Sequence, residues 1–264
     1  MSLPHCPSHI RKIWQQIAHY SYHESDQAML YFLEEMKRHL NARNVLWIGS
    51  GRGKDASNTP VIEMLGEWTT VDVLYCQSSE RPRTPEDNYQ LYMEVKQKHG
   101  IDPLTKAAIE SAGSSRSFTR RDVITDEEWQ NHWIHREFHQ KNGDSELMFV
   151  VYSVDSACES YIVFYRGIGE APFTVEEREF AFTASMGIGV LHKRMMQLRG
   201  AALPSTRLLS PQEKAVLNLL IQGRRDKEVA LSLGISPTTV NKHLSSIYRK
   251  FGVSGKFDLI AQLM

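Results

Sequence analysis

The chain has 264 residues, 41% of them hydrophobic, and its 31 Lys and Arg balance 31 Asp and Glu, which is ordinary for a globular protein. No apolar run approaches a membrane span, since Leu147 to Tyr152 and Ala181 to Leu191 are too short, and Met1-Ser-Leu-Pro-His-Cys-Pro lacks the features of a signal peptide, so a cytoplasmic protein is expected. Cys6, Cys76 and Cys158 are odd in number and far apart, which excludes a metal or redox motif by spacing and leaves reduced thiols as the expectation.

In chain order, the body opens with a short helix around Ile10 to His19. An amphipathic helix follows over Asp26 to Leu40, where Ala28, Met29, Phe32, Leu33, Met36 and Leu40 recur at helical spacing. Asn44 to Ile48 is strand-like, and Gly49-Ser-Gly-Arg-Gly-Lys-Asp breaks the chain. That glycine cluster is not a phosphate loop: the spacing to Lys54 is too short, Asp55 stands where Ser or Thr is needed, and the third glycine comes too early for a dinucleotide fingerprint. A hairpin connection is expected instead. Trp68 to Tyr75 alternates as a strand, Ser78 to Asp87 reads as a loop, Tyr89 to His99 as a helix, and Asp102-Pro103 opens a short helix through Ile109.

After a small-residue turn over Ser111 to Ser117, Thr125 or Asp126 caps a helix reaching about His139. Leu147 to Val154 and Ser160 to Arg166 pair as an antiparallel hairpin. Phe173-Thr174 then begins one long helix to Leu198, with Glu176, Glu177 and Glu179 early and His192, Lys193 and Arg194 late, charges that suit its dipole. Helices flanking several non-repeating strands make an α+β domain with an antiparallel sheet.

A ligand site in such a domain lies between the sheet and the helices over it. Trp47, Tyr75, Tyr92, Asp102, Trp129 and Trp133 are the candidates, because a few polar groups on an aromatic lining suit a small molecule; each aromatic also reads as a core residue. His132, His135 and His139 fall at i, i+3 and i+7 with Glu128 one turn earlier. Such a stripe could bind a metal ion, but ordinary surface histidines explain it as well and no fourth ligand stands at finger or protease spacing, so no metal site is assigned. No cofactor motif emerges. Arg120 and Asp122, Glu128-Trp129, Glu137-Phe138, Gly143, Tyr161 to Gly167, and Pro172-Phe173-Thr174 with Glu177 together resemble the later half of GAF-like sensor domains, over Phe118 to Leu198.

Gly200 to Arg207 reads as a linker, dividing the chain into a body of residues 1–199, a linker of 200–207 and a tail of 208–264. From Pro204 onward nine Lys and Arg face four Asp and Glu, a net of +5, so the rest carries −5: a basic tail on an acidic body. Four helices are predicted in the tail, over Pro211 to Ile221, Lys227 to Leu233, Thr238 to Lys250 and Gly255 to Leu263. Ser210, Asp226, Ser236 and Ser254 are placed as N-caps, and Gly223, Gly234 and Gly252 follow the last turns. The turn Leu233-Gly234-Ile235-Ser236 has the length of a helix-turn-helix connection. Beyond it, Val240, Leu244, Ile247 and Phe251 form one apolar stripe, opposite Thr238, Asn241, Lys242, Ser245 and Arg249.

The tail closely resembles the LuxR/FixJ-type DNA-binding domain of bacterial transcription regulators, through Leu209-Ser-x-Gln-Glu-x-x-Val-Leu217, Gly223, Lys227-Glu-Val-Ala230, Leu233, Ile235-Ser236, Thr239-Val-Asn-x-His-Leu244 and Ile247 to Val253. The resemblance implies that the third helix lies in the major groove of double-stranded promoter DNA. Asn241, Lys242 and Ser245 would then be nearest base edges, while Lys227, Thr238, Thr239 and Arg249 hold phosphates. Asn241 replaces the usual Lys and shifts the expected pairing toward adenine. It also implies a homodimer, an unknown small-molecule ligand for the body, and RNA polymerase as a partner. An acyl-homoserine-lactone receptor is the rival within the class, on the strength of Asp102-Pro103, although Tyr89 and Met93 stand where that class has tryptophan and tyrosine. A body with metal-dependent enzymatic activity is the rival outside it, and a purely dimerising body the third reading.

Overall fold

The computed structural model describes residues 8–52, 68–76, 82–201 and 209–263. Five strands, β1 (Asn44–Arg52), β2 (Trp68–Tyr75), β3 (Arg116–Thr119), β4 (Asp144–Asp155) and β5 (Cys158–Gly167), form one sheet in the order β2-β1-β5-β4-β3. Every neighbouring pair is antiparallel. β5 is central and buried along its whole length, as its near-continuous apolar run Tyr161–Tyr165 requires.

Strand alternation splits the sheet's side chains into two cores. On one face, helices α1 (Ser8–Ile17), α2 (Ser25–His39), α6 (Val175–Met186) and α7 (Gly189–Leu198) pack over Val45, Trp47, Met148, Ile162 and Phe164. On the other, α3 (Pro85–His99), α4 (Pro103–Glu110) and α5 (Asp126–Asn131) cover Leu46, Leu147, Val151, Val163 and Tyr165. The body is therefore an antiparallel sheet between two layers of helices.

Several expectations are corrected by tertiary contacts. β1 does not stop at Ile48 but runs on through Gly49 to Arg52. A Cβ on Gly49 would lie 2.7 Å from the Trp47 ring and 2.8 Å from Met196 Sδ, so this glycine makes room for packing rather than for a turn. The hairpin connection expected at Gly49 to Asp55 is thus strand as far as Arg52, and its last residues, 53–55, lie outside the described ones. α3 begins at Pro85, inside the expected loop, because Thr84 caps it, accepting the Asp87 amide at 3.2 Å. The turn over Ser111 to Ser117 runs into a short edge strand, β3.

The single long helix after Thr174 is two. Trp14 of α1 donates its indole N–H to the Ala184 carbonyl at 2.9 Å and lies against Gly187, and the chain breaks at Gly187-Ile188. The helix expected to reach His139 ends at Asn131, His132 turns extended, and a wide helical turn, His135–His139, follows. Of the linker expected over Gly200 to Arg207, residues 202–207 lie outside the described ones. Among the described residues, no helix is long and apolar enough to cross a membrane.

Beyond that segment α8 (Pro211–Ile221), α9 (Asp226–Leu233), α10 (Pro237–Phe251) and α11 (Lys256–Leu263) build a separate core on Leu217, Val229, Val240, Leu244, Ile247 and Leu259. Tyr22, in a 3₁₀ turn before α2, also packs against this core with its hydroxyl buried, and the Arg194 guanidinium lies 5.6 Å from its ring centroid.

Behind the sheet, His192 of α7 is wholly buried. Its Nδ1 is 2.7 Å from Ser160 Oγ and its Nε2 3.0 Å from Ser185 Oγ, and its ring stacks on Tyr152. Burial pushes its pKa down from 6.5 to about 3. Above the ordinary value the ring is neutral in folded and unfolded chains alike. Below it only the unfolded chain gains the proton, so stability drains away as pH falls toward the folded value. Between about pH 7 and pH 5 this costs about 2 kcal/mol. Urea unfolding at both pH values should show that loss in the wild type and its absence in His192→Gln; equal losses in the two proteins would rule the histidine out as the source.

Candidate functional site

In the C-terminal part the local sequence sets the geometry of α10. Gly234 adopts a left-handed conformation (φ 64°) that ends α9, and Ser236 restarts the chain, its Oγ accepting the Thr239 amide at 3.1 Å. With Val240, Leu244, Ile247 and Phe251 buried, the helix turns Thr238, Asn241, Lys242, Ser245 and Arg249 outward. Those five are exposed, as is Lys227 on α9, while Thr239 is half-buried because its hydroxyl also meets Ser236. Ser245 donates its hydroxyl to the Asn241 carbonyl at 2.9 Å, which leaves the oxygen's lone pairs facing outward.

Asp226 is not the cap of α9. It is the first helical residue, and Arg225 holds the cap position, with the Glu228 carboxylate accepting its amide at 2.7 Å. Arg224 and Arg225, both exposed, add positive charge beside Lys227. The basic pair after Gly223 was the sequence signal for them. α11 begins at Lys256, and Ser254 donates to the Asp258 carboxylate from just ahead of it.

A partly open cavity of about 160 Å³ lies between the sheet and α3 and α4 of the body. Tyr75, Tyr92 and Asp102 line it. Asp102 is nevertheless committed to its own helix: Oδ1 accepts the Leu104 and Thr105 amides, each at 3.0 Å, and Oδ2 accepts Thr105 Oγ1 at 2.7 Å and the Tyr92 hydroxyl at 3.4 Å. Burial, reinforced by Asp102, pushes the Tyr92 phenol far above its ordinary value, so the ring stays neutral.

The three tryptophans lie elsewhere. Trp47 projects from the opposite face to its neighbours Leu46 and Ile48, which do reach the cavity, and donates to Ser160 Oγ at 2.5 Å. Trp129 is core, its indole N–H bound to the Ser145 carbonyl at 3.1 Å. Trp133 stacks on His99, 5.0 Å between centroids, outside the cavity wall.

The histidine stripe is also dismantled by the break in the helix. His135 and His139 lie against Trp129, at 5.0 and 5.2 Å, whereas His132 sits apart beside Trp133. Among the described residues no three His, Cys, Asp or Glu are gathered as a metal site. Sequence reasoning missed Asn88, a buried amide on the cavity wall, because it fell between the loop read over Ser78 to Asp87 and the helix read from Tyr89.

A helix-turn-helix whose second helix buries an apolar back and exposes polar and basic side chains defines a DNA-binding protein. The profile described as bacterial regulatory proteins, luxR family, matches residues 207–263. The chain is 39% identical over 57 residues to spore germination protein GerE of Bacillus subtilis (strain 168), 22% of this chain and 77% of that one. It is 38% identical over 55 residues to transcriptional regulatory protein UhpA of Escherichia coli (strain K12), 21% of this chain and 28% of UhpA, so it spans well under half of that relative. A solved structure titled SdiA in complex with octanoyl-rac-glycerol aligns over 99% of this chain and 95% of its own, at 17% identity and a TM-score of 0.47. The chain belongs to the LuxR family of bacterial regulatory proteins and is a DNA-binding transcription regulator.

Proposed function

We propose that residues 1–199 form a GAF-like sensory and dimerising domain that takes a small molecule, and that residues 208–264, after a 200–207 linker, read double-stranded promoter DNA as half of a homodimer. The observation that carries this reading is a mostly apolar pocket in the body together with an exposed polar face on α10. Asn241, Lys242 and Ser245 contact base edges; Lys227, Thr238, Thr239 and Arg249 hold phosphates. The regulator works in the cytoplasm, has RNA polymerase as the partner that reads promoter occupancy, and carries out no catalytic step.

The joint between the two parts supports a route from ligand to DNA. Val73 of β2 faces the cavity, and the adjacent Asp72 accepts the Arg199 Nε at 2.7 Å. Arg199 also binds Asp26 at 2.9 Å and lies 4.6 Å from the Trp47 ring centroid. Lys214 of α8 sits beside this cluster, where burial first, and then Arg199, lowers its pKa against the pull of Asp72. A ligand that shifts β2 therefore acts on the joint that holds α8.

The test is site selection from random duplexes with the full-length protein, followed by affinity measurement for Lys242→Ala. Two recognition helices about 34 Å apart should select a palindromic site with half-sites one turn apart. Lys242→Ala is expected to lose about 1–3 kcal/mol on that site with little change on random DNA. Equal loss on all sequences would move Lys242 to the phosphates, and no loss on any DNA would sink the assignment of this face.

A further inference from the structure

We propose that the cavity takes a compact, uncharged, ring-bearing molecule that presents a hydrogen-bond donor and acceptor side by side, as a primary amide or lactam does, and that Asn88 reads that edge. The inference rests on the reading of the body as a small-molecule sensor.

Asn88 lies in the first turns of α3 and is 2% exposed. Its Nδ2 and Oδ1 are both covered in the ligand-free protein, and among the described residues neither has a hydrogen-bond partner. It lines the cavity, whose wall also includes Leu46, Ile48, Val73 and Phe149. Buried amides are almost always paired, and one left wholly unpaired is costly to fold around. A carboxamide offers its carbonyl and one N–H on a single edge, so a ligand that supplies the complementary pair satisfies both at once.

The remaining wall narrows the class. Among the described residues lining the cavity there is no Lys or Arg, which leaves His139 as the lining side chain able to take a positive charge against a carboxylate or phosphate. The carboxylate of Asp102 is spent on four donors of its own helix and neighbour, which leaves a cationic ligand no free acceptor there. Size points the same way, since about 160 Å³ is close to the roughly 150 Å³ that encloses benzene in an engineered core. A single ring with a small polar substituent fits this volume. Tyr89, Tyr92 and Phe138 supply ring faces and edges against which such a molecule can pack.

The test uses the full-length protein and three probes of one shape, benzamide, acetophenone and benzoate, titrated by calorimetry and ligand-observed NMR. Benzamide should bind saturably and at least about tenfold tighter than acetophenone, which can only accept, and benzoate should not bind. Asn88→Leu should bring benzamide down to the affinity of acetophenone. It should also raise the melting temperature of the unliganded protein, because the unpaired amide is gone; Asn88→Ala carries the same affinity comparison if the leucine does not fold. Equal binding of benzamide and acetophenone by the wild type, or a preference that survives in the variant, would overturn the role of Asn88 and leave the sensor reading standing. Failure of all three probes to bind would overturn the sensor reading and this inference with it.

Discussion

Truncating Ile247 to alanine should remove about 3 kcal/mol, a large part of what a domain this small has to hold it together. Ile247 is fully buried on the inner side of α10, between Leu244 and Phe251 in the stripe that meets α8 and α9. Small domains bury a smaller fraction of their surface, so one vacated site weighs heavily. Amide hydrogen exchange resolves the effect within the full-length protein: α10 should lose protection by the expected free energy while the β5 amides keep theirs. DNA affinity should fall on selected and random duplexes together, because the whole reading surface is lost. A change under about 1 kcal/mol would mean that the site collapses around the smaller side chain.

Lys250→Met should cost a similar amount by a different route. Lys250 Nζ is 2.7 Å from Glu213 Oε2, with the two side chains 13% and 5% exposed, and the pair ties the end of α10 to the start of α8. Burial alone would raise the Glu213 pKa. Hydrogen bonds from Lys250, Ser246 and the Ser210 amide outweigh it and hold the carboxyl below its ordinary range. In the wild type that stabilisation is present above the unfolded glutamate's pKa and is lost as pH falls through the lower, folded one.

Without the lysine, only Ser246 and the Ser210 amide oppose burial, and the carboxyl's pKa should rise from its wild-type position. The variant should lose about 3 kcal/mol at neutral pH and regain part of it as the carboxyl takes a proton on acidification. Thermal melts of wild type and Lys250→Met at about pH 7 and pH 5 measure both halves of this expectation. Glu213→Gln combined with Lys250→Met should recover much of the loss, since no buried charge is then left alone.

The C-terminal part was legible because its signals are local. Ser210 with Glu213, Ser236 before Pro237 and the 240, 244, 247, 251 stripe sit within one or two turns of the groups they serve. In the body the misreadings arise where a distant residue decides. Gly187 and Gly189 weaken the helix locally, but what fixes the break there is Trp14 on another helix. Gly49 looks like a loop glycine until the Trp47 ring and Met196 are seen to fill its side-chain space. Period-two alternation sets Leu46 and Trp47 on opposite faces, yet it does not say which face holds the cavity, so the tryptophan was favoured by chemistry over its neighbours. Asn88 was hidden by a boundary error of four residues, although Thr84-Pro85 carried the cap that places it on the helix.

Tyr22 belongs to the body by position and to the DNA-binding core by contact. Its ring and buried hydroxyl sit among tail residues, under the guanidinium of Arg194 from α7. Where the polypeptide is conveniently divided is thus not where its cooperative units divide. A fragment cut in the linker leaves a socket without its plug, and any swing of the tail away from the body must first wet an aromatic ring. The arrangement makes reorientation an all-or-none event with a solvation cost, rather than a free rotation about the connecting residues.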